Sequence, residues 1–317
     1  MSPDRAWVGR RLVLGLGQTA ALVVLIFALT EALPGDAAVA LAGEQPDPER
    51  IARIREAMDL DRPAVERFLA WTAGMTRGDL GASLVTGRPV TAYLFDGLGP
   101  TLLLTGVTVA LLVPLSVGLG VLAARREGGP LDRTLSAATL AVHALPEFAL
   151  GVLLTTVFAL RLGWLPPTAV GTDGDLTAHP ATLVLPVVVL PARPVCTISR
   201  LVRAGMIEAM ASPYVAHARR CGIPGARVRW THALPNAVAA AGQQLARTCD
   251  WLLSGVIVVE ALFVIPGLGT VLIDAVAARD VPVIQGMAVV FGVVTVAVNL
   301  AADVLTRRLA PRSAVAA

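Results

Sequence analysis

Between Ser212 and Pro235 the chain reads SPYVAHARRCGIPGARVRWTHALP, a polar, arginine-bearing island set between two long apolar segments. It predicts a short helix, a turn and a second helix. Ser212 followed by Pro213 suits an N-cap and first helical position, because the hydroxyl can accept from an orphan amide while proline gives up no needed donor. Gly222 suits a left-handed C-cap. Between them Ala216, Ala218 and Gly222 leave a small-residue face able to approach another surface closely, and Arg219 and Arg220 extend from the same turn. Such a helix is built to dock.

The rest of the chain has the composition of a membrane protein. Of its 317 residues 55% are hydrophobic and 15% charged, with a mean hydropathy of +0.70, against about a quarter charged in soluble domains. The net charge of +3 is carried by arginine alone, since no lysine occurs anywhere. A P-loop ATPase needs the lysine of its phosphate-binding motif, so any ATP hydrolysis belongs to a partner. Cys196, Cys221 and Cys249 are widely spaced with no CxxC pattern, which indicates neither a metal site nor a disulfide framework. His143, His179, His217 and His232 are scattered as well, and no metal is expected.

Six apolar stretches are long enough to cross a hydrocarbon core of about 30 Å. They run from Leu12 to Leu33, Thr101 to Ala124, Thr134 to Leu160, Ala181 to Arg200, Ala237 to Phe263 and Val283 to Leu305. A cleaved signal peptide competes for the first of them, since Ala38-Val39-Ala40 follows, but its length favours a retained anchor. Pro186, Pro191 and Pro194 in the fourth predict a kinked, buried helix, because the freed carbonyls need protein partners. Arg5, Arg10, Arg11, Arg125, Arg126, Arg133, the arginines from 200 to 229, Arg307, Arg308 and Arg312 all fall on one side of this arrangement. By the positive-inside rule that side is cytoplasmic, and it includes both termini and the docking stretch.

Residues 34–100 are mixed in charge and too long for a simple turn, so they predict a small external insertion. Asp47-Pro48-Glu49 opens one helix there. A second is expected near Arg62 to Met75, with Val65, Phe68, Leu69 and Thr72 on one face.

The run Ala216-His217-Ala218, Gly222, His232-Ala233-Leu234-Pro235 resembles the EAA loop of ABC-importer permease subunits: EAA, three residues, glycine, nine residues, I-x-L-P. Ala216, His217 and His232 depart from its glutamate, first alanine and isoleucine. Further likenesses to the dipeptide, oligopeptide and nickel permease family lie in Leu33-Pro34-Gly35-Asp36, Leu60-Asp61-Arg62-Pro63, Arg77-Gly78-Asp79-Leu80-Gly81, Gly87-Arg88-Pro89-Val90, Gly163-Trp164-Leu165-Pro166 and Pro266-Gly267-Leu268-Gly269. The likeness spans Arg10 to Arg312.

The resemblance implies an all-α polytopic membrane protein of the type I ABC importer permease fold, with six transmembrane helices. Residues 1–11 would be a cytoplasmic N-terminus, 12–33 the first span, 34–100 the external insertion, 101–312 a five-helix core with a coupling loop at 212–235, and 313–317 a cytoplasmic tail. It implies a transport subunit of the bacterial plasma membrane, without an ATPase site or cofactor of its own. Its partners would be a homologous permease, two ATPases carrying ATP and Mg, an external substrate-binding protein or lipoprotein, and membrane lipid, with no nucleic acid. Tyr214, Ala216, Ala218, Arg219, Arg220 and Gly222 would meet the ATPase, and the cargo would be a peptide.

Ionisable groups inside spans cost about 2.5–3.5 kcal/mol at a helix centre and mark functional candidates. Glu147, Gln243, Gln244, Arg247, Asp250 and Glu260 are therefore candidates for the translocation path or its gate. Self-satisfied ion pairing of Arg247 with Asp250, three residues apart, fits the residues equally well. Two other functions stay open at this point: import of nickel or another small chelate, and ion-coupled secondary transport using Glu147, Arg247 and Asp250.

Overall fold

A computed structural model of the chain describes residues 3–32, 47–57, 61–171 and 176–309, with side chains left out at several helical positions, among them 239–243, 245–247 and 249–251. The described secondary structure is helical, apart from one isolated bridge between Ala82 and Pro89. Among the described residues three helices are long and apolar enough to cross a membrane, Gly9–Glu31, Val90–Ala124 and Val281–Ala301, and the total reaches six if each of three bent helix pairs is one span. The chain divides into two compact units, residues 1–101 with 266–300, and residues 102–265 with 301–317.

In the first unit, α1 (Pro3–Glu31), α2 (Pro48–Ala57) and α3 (Ala64–Thr76) precede the start of α4 (Val90–Ala124). Phe27 of α1 packs edge-on against Phe68 at 5.2 Å between ring centres and lies 5.9 Å from Trp71. Glu31 pairs with Arg67 beside them. These contacts set the rotation of α3. Val65 and Leu69, expected on its inward face, are 69% and 60% exposed. The helical period holds, but the aromatic pair and Arg67 turn the helix by part of a turn.

The second apolar helix begins at Val90, well before Thr101. At about 1.5 Å per residue its 35 residues extend some 52 Å, more than a bilayer core needs. Its first turns hold polar groups, with Asp96 bonded to Arg88 at 2.9 Å and Tyr93 to Thr86 at 2.6 Å. The segment between spans five and six is also helical rather than a plain loop, forming α11 (Leu268–Ala277) ahead of α12 (Val281–Leu309). Val90, Leu268, Ala275, Val283 and Met287 make the core here. Gly97 lets the backbone of Leu268 approach, and Ser83 and the Leu84 amide donate to the buried Asp280 carboxylate.

The second unit is built from broken helices. α5 (Pro130–Ala144) and α6 (Glu147–Leu154, continuing as a π-helical turn through Arg161) meet at 107°. The third apolar run, expected from Thr134 to Leu160, is thus broken into two helices rather than straight. Pro146 is the cause, since the residue before a proline is pushed out of the helical region and Leu145 is extended at φ −80, ψ 133. α7 (Ala181–Val189) and α8 (Ala192–Ala211) bend by 52° at Leu190-Pro191, the kink that the prolines predict. α8 packs most extensively on α10 (Leu234–Phe263). Leu185, Val189, Leu190, Ile198, Val202, Met206, Val256, Val259 and Phe263 are buried in their common core.

Close packing depends on small residues at the crossings. A β-carbon on Gly120 would sit 2.6 Å from the Ser199 carbonyl oxygen and 2.7 Å from Val202 Cβ. Gly120→Leu should therefore cost at least about 1–3 kcal/mol through overpacking, read as a lower melting temperature of the detergent-solubilised protein. Gly118→Ala, whose β-carbon meets nothing within 4 Å, should leave that temperature unchanged.

Candidate functional site

The docking stretch folds as α9 (Pro213–Arg220), a turn, one helical turn at Gly225–Arg227 and a π-helical turn at Val228–Ala233 that runs into α10. Pro213 occupies the first helical position as the sequence predicts. The Ser212 hydroxyl does not cap the helix. It donates back to the Ala209 carbonyl at 2.5 Å, the end of α8 having reached it first.

Gly222 ends α9 in the left-handed region at φ +77. Its amide donates to Arg219 O at 3.0 Å, and the Ile223 amide donates to Ala218 O at 3.2 Å. This is the paired bonding of a Schellman turn, with Ile223 packing over the hairpin in the way that motif favours. Val215, Ala218 and Val228 form a small buried cluster under it, covered by Met210 and Ile223. The hairpin thus carries its own core.

That core corrects the reading of the docking face. Ala218 is 6% exposed and points inward. Tyr214, Ala216, His217, Arg219, Arg220 and Gly222 are exposed. What faces outward is basic and aromatic, with Ala216 and Gly222 the small residues left on it. The Tyr214 hydroxyl accepts from Asn236 Nδ2 at 2.9 Å, which ties α9 to the start of α10.

A charge pair missed in the sequence braces the approach to the hairpin. Asp132, 3% exposed in the first turn of α5, takes two bonds from Arg203 of α8, Nε to Oδ1 at 2.5 Å and a terminal nitrogen to Oδ2 at 2.7 Å. The Gly128 amide and the Ser136 hydroxyl also donate to it. Bidentate charge-assisted bonds of this kind fix geometry as well as energy. α8 leads directly into α9, so the pair holds the stem from which the hairpin projects. The available signal was Gly128-Gly129-Pro130 preceding an acidic first turn, but nothing local connects Asp132 with a residue so far along the chain.

The candidate path residues separate. Glu147 begins α6 directly after the Pro146 break, half-buried, with Oε2 shielded and without a hydrogen bond. Glu260 is wholly buried, and its backbone carbonyl accepts from the Ile265 amide at 2.9 Å across Val264, which is left-handed at φ 53. Gln244 is half-buried on α10, its carbonyl accepting from the Thr248 hydroxyl. Gln243, Arg247 and Asp250 lie on the same helix, and their side chains are outside the described residues.

Comparison with known proteins gives a consistent result. The family described as binding-protein-dependent transport system inner membrane component matches residues 116–315, and its N-terminal counterpart matches residues 7–105. A probable peptide ABC transporter permease, y4tP of Sinorhizobium fredii, is 32% identical over 96% of this chain and 98% of its own length. The glutathione transport system permease GsiC of Pectobacterium atrosepticum is 36% identical over 94% and 96%. Among solved structures, the inward-facing MetNI methionine ABC transporter aligns with a TM-score of 0.55 at 20% identity, covering 69% of this chain and 97% of that one.

Removing one member of a buried pair leaves the other charge uncompensated. Asp132→Asn should therefore loosen the packing of α5 on α8. In a background with Cys221→Ser and Cys249→Ser, the buried Cys196 of α8 should then react with a thiol dye at a lower temperature than in the parent, with Arg203→Lys falling between the two.

Proposed function

The chain belongs to the binding-protein-dependent transport system inner membrane component family, and from that premise we propose that it forms one half of the membrane passage of an ATP-driven peptide importer. A multi-pass inner-membrane permease of this family works with ATPase and substrate-binding components. The observation that carries the finer reading is the hairpin at 212–235. It is a short, exposed, basic helix, stiffened by a Schellman turn and a core of its own, and it is continuous with the helices on both sides.

Such an element can transmit a displacement because it does not deform internally. In this reading Tyr214, Ala216, Arg219, Arg220 and Gly222 seat in a groove of the ATPase, and Ala218 supports them from within. ATP and Mg act on the ATPases, two of which serve this chain and a homologous second permease. Closure of the ATPases then biases the paired permeases between two states through differential contacts. The arginine distribution supports placing both termini and the hairpin in the cytoplasm. The names of the relatives, peptide and glutathione permeases, support a peptide cargo delivered by an external binding protein.

Gly222→Leu tests the docking assignment. A side chain at φ +77 strains the turn by about 1–2 kcal/mol, and its β-carbon meets open space. The variant should accumulate in the membrane at parental levels, yet take up peptide poorly while the ATPases still hydrolyse ATP. Normal ATP-driven uptake would show that the turn does not dock. Uptake by the parent chain alone, driven by an ion gradient, would instead establish a secondary transporter.

A further inference from the structure

Near the two helix breaks of the second unit lie four polar side chains from three helices. α5 packs on α8 and α6 on α7, so the two broken helix pairs are neighbours. His143, in the last turn of α5, lies 3.4 Å through Nδ1 from the hydroxyl of Thr197 on α8. That hydroxyl also bonds to the Arg193 carbonyl at 3.2 Å, one turn earlier. Glu147 starts α6 on the far side of the first break, within electrostatic reach of Arg193.

The two charges do not close on each other. Glu147 Oε2 and Arg193 Nε are both shielded from solvent, and neither has a hydrogen-bond partner. No ion pair joins the two residues among those described. In an apolar helical environment, opposite charges normally pair or are drawn out to water. An acceptor and a donor each left open within electrostatic reach of the other is the arrangement expected where a third group completes both. A ligand with one ammonium and one carboxylate would do so, because charge-assisted bonds to each are the strongest available.

We propose that Glu147 and Arg193, positioned by His143 and Thr197, form a two-point subsite for a zwitterionic peptide, Glu147 receiving the ammonium end and Arg193 the carboxylate end. The proposal rests on peptide import. It adds which chemical groups the permease itself reads, independently of any external binding protein. Proline breaks are suited to the task, since irregular backbone inside a membrane is tolerated where it lines a cavity.

The test uses the whole importer reconstituted in vesicles with ATP inside, and three probes: trialanine, its C-terminal amide and its N-acetyl form. The binding protein is common to every assay and cancels when ratios are compared between parent and variant. Arg193→Gln should reduce the preference for the free over the amidated peptide by about tenfold and leave the other ratio intact. Glu147→Gln should reduce the preference for the free over the acetylated peptide by a similar factor. Membrane abundance and ATPase rate are measured alongside. If the neutral variants do not accumulate, Glu147→Asp and Arg193→Lys keep the charge and should shift the same ratios less. Unchanged ratios in variants of a peptide-importing parent overturn the subsite alone. A parent that takes up none of the three peptides overturns the peptide reading and the subsite with it.

Discussion

A backbone inside a bilayer has no water to bond to, so each amide and carbonyl freed from a helix must be answered by protein. The second unit is arranged around that constraint. Its prolines at 146, 186, 191 and 194 interrupt two apolar runs. Pro186, Pro191 and Pro194 are buried, and the carbonyl of Pro186 accepts from the Leu190 amide just before the bend. That second break is tolerable because α10 packs on both helices flanking it.

Close covering requires small side chains at the crossings. Gly120 meets the backbone of Ser199, Gly205 meets Ala237, and Gly151 meets Leu262. Apolar attraction between helices is weak when lipid is equally apolar, so contact distance and polar fastenings carry more of the association. The Asp132–Arg203 pair is one such fastening, about two turns before the end of α8 from which the hairpin projects. It links the packing of the core to an element that projects from it. The hairpin does not depend on that link for its own shape, since Val215, Ala218 and Val228 already hold it.

Where a pattern-based expectation competed with an actual contact, the contact prevailed. Ser212 has the chemistry of an N-cap, yet the Ala209 carbonyl holds its hydroxyl. Val65 and Leu69 have the spacing of an inward face, yet Phe27 draws Phe68 and Trp71 inward instead. Ala218 has the size of a docking contact and serves as core.

The sequence by itself determined the class of the molecule, the helical character of its apolar runs, the kink at Pro191, the left-handed stop at Gly222 and the position of the hairpin. Each of these follows from composition, from a period, or from a residue whose backbone preferences act within its own turn. Only the tertiary structure decided the rotation of α3, the size of the 107° turn at Leu145-Pro146, the inward side of α9, the bond between Asp132 and Arg203, and the electrostatic reach of Glu147 to Arg193. A repeat of 3.6 residues specifies that a helix has an apolar side, while the azimuth of that side depends on what packs against it. Charges far apart in the chain likewise acquire partners only when packing has brought their helices together.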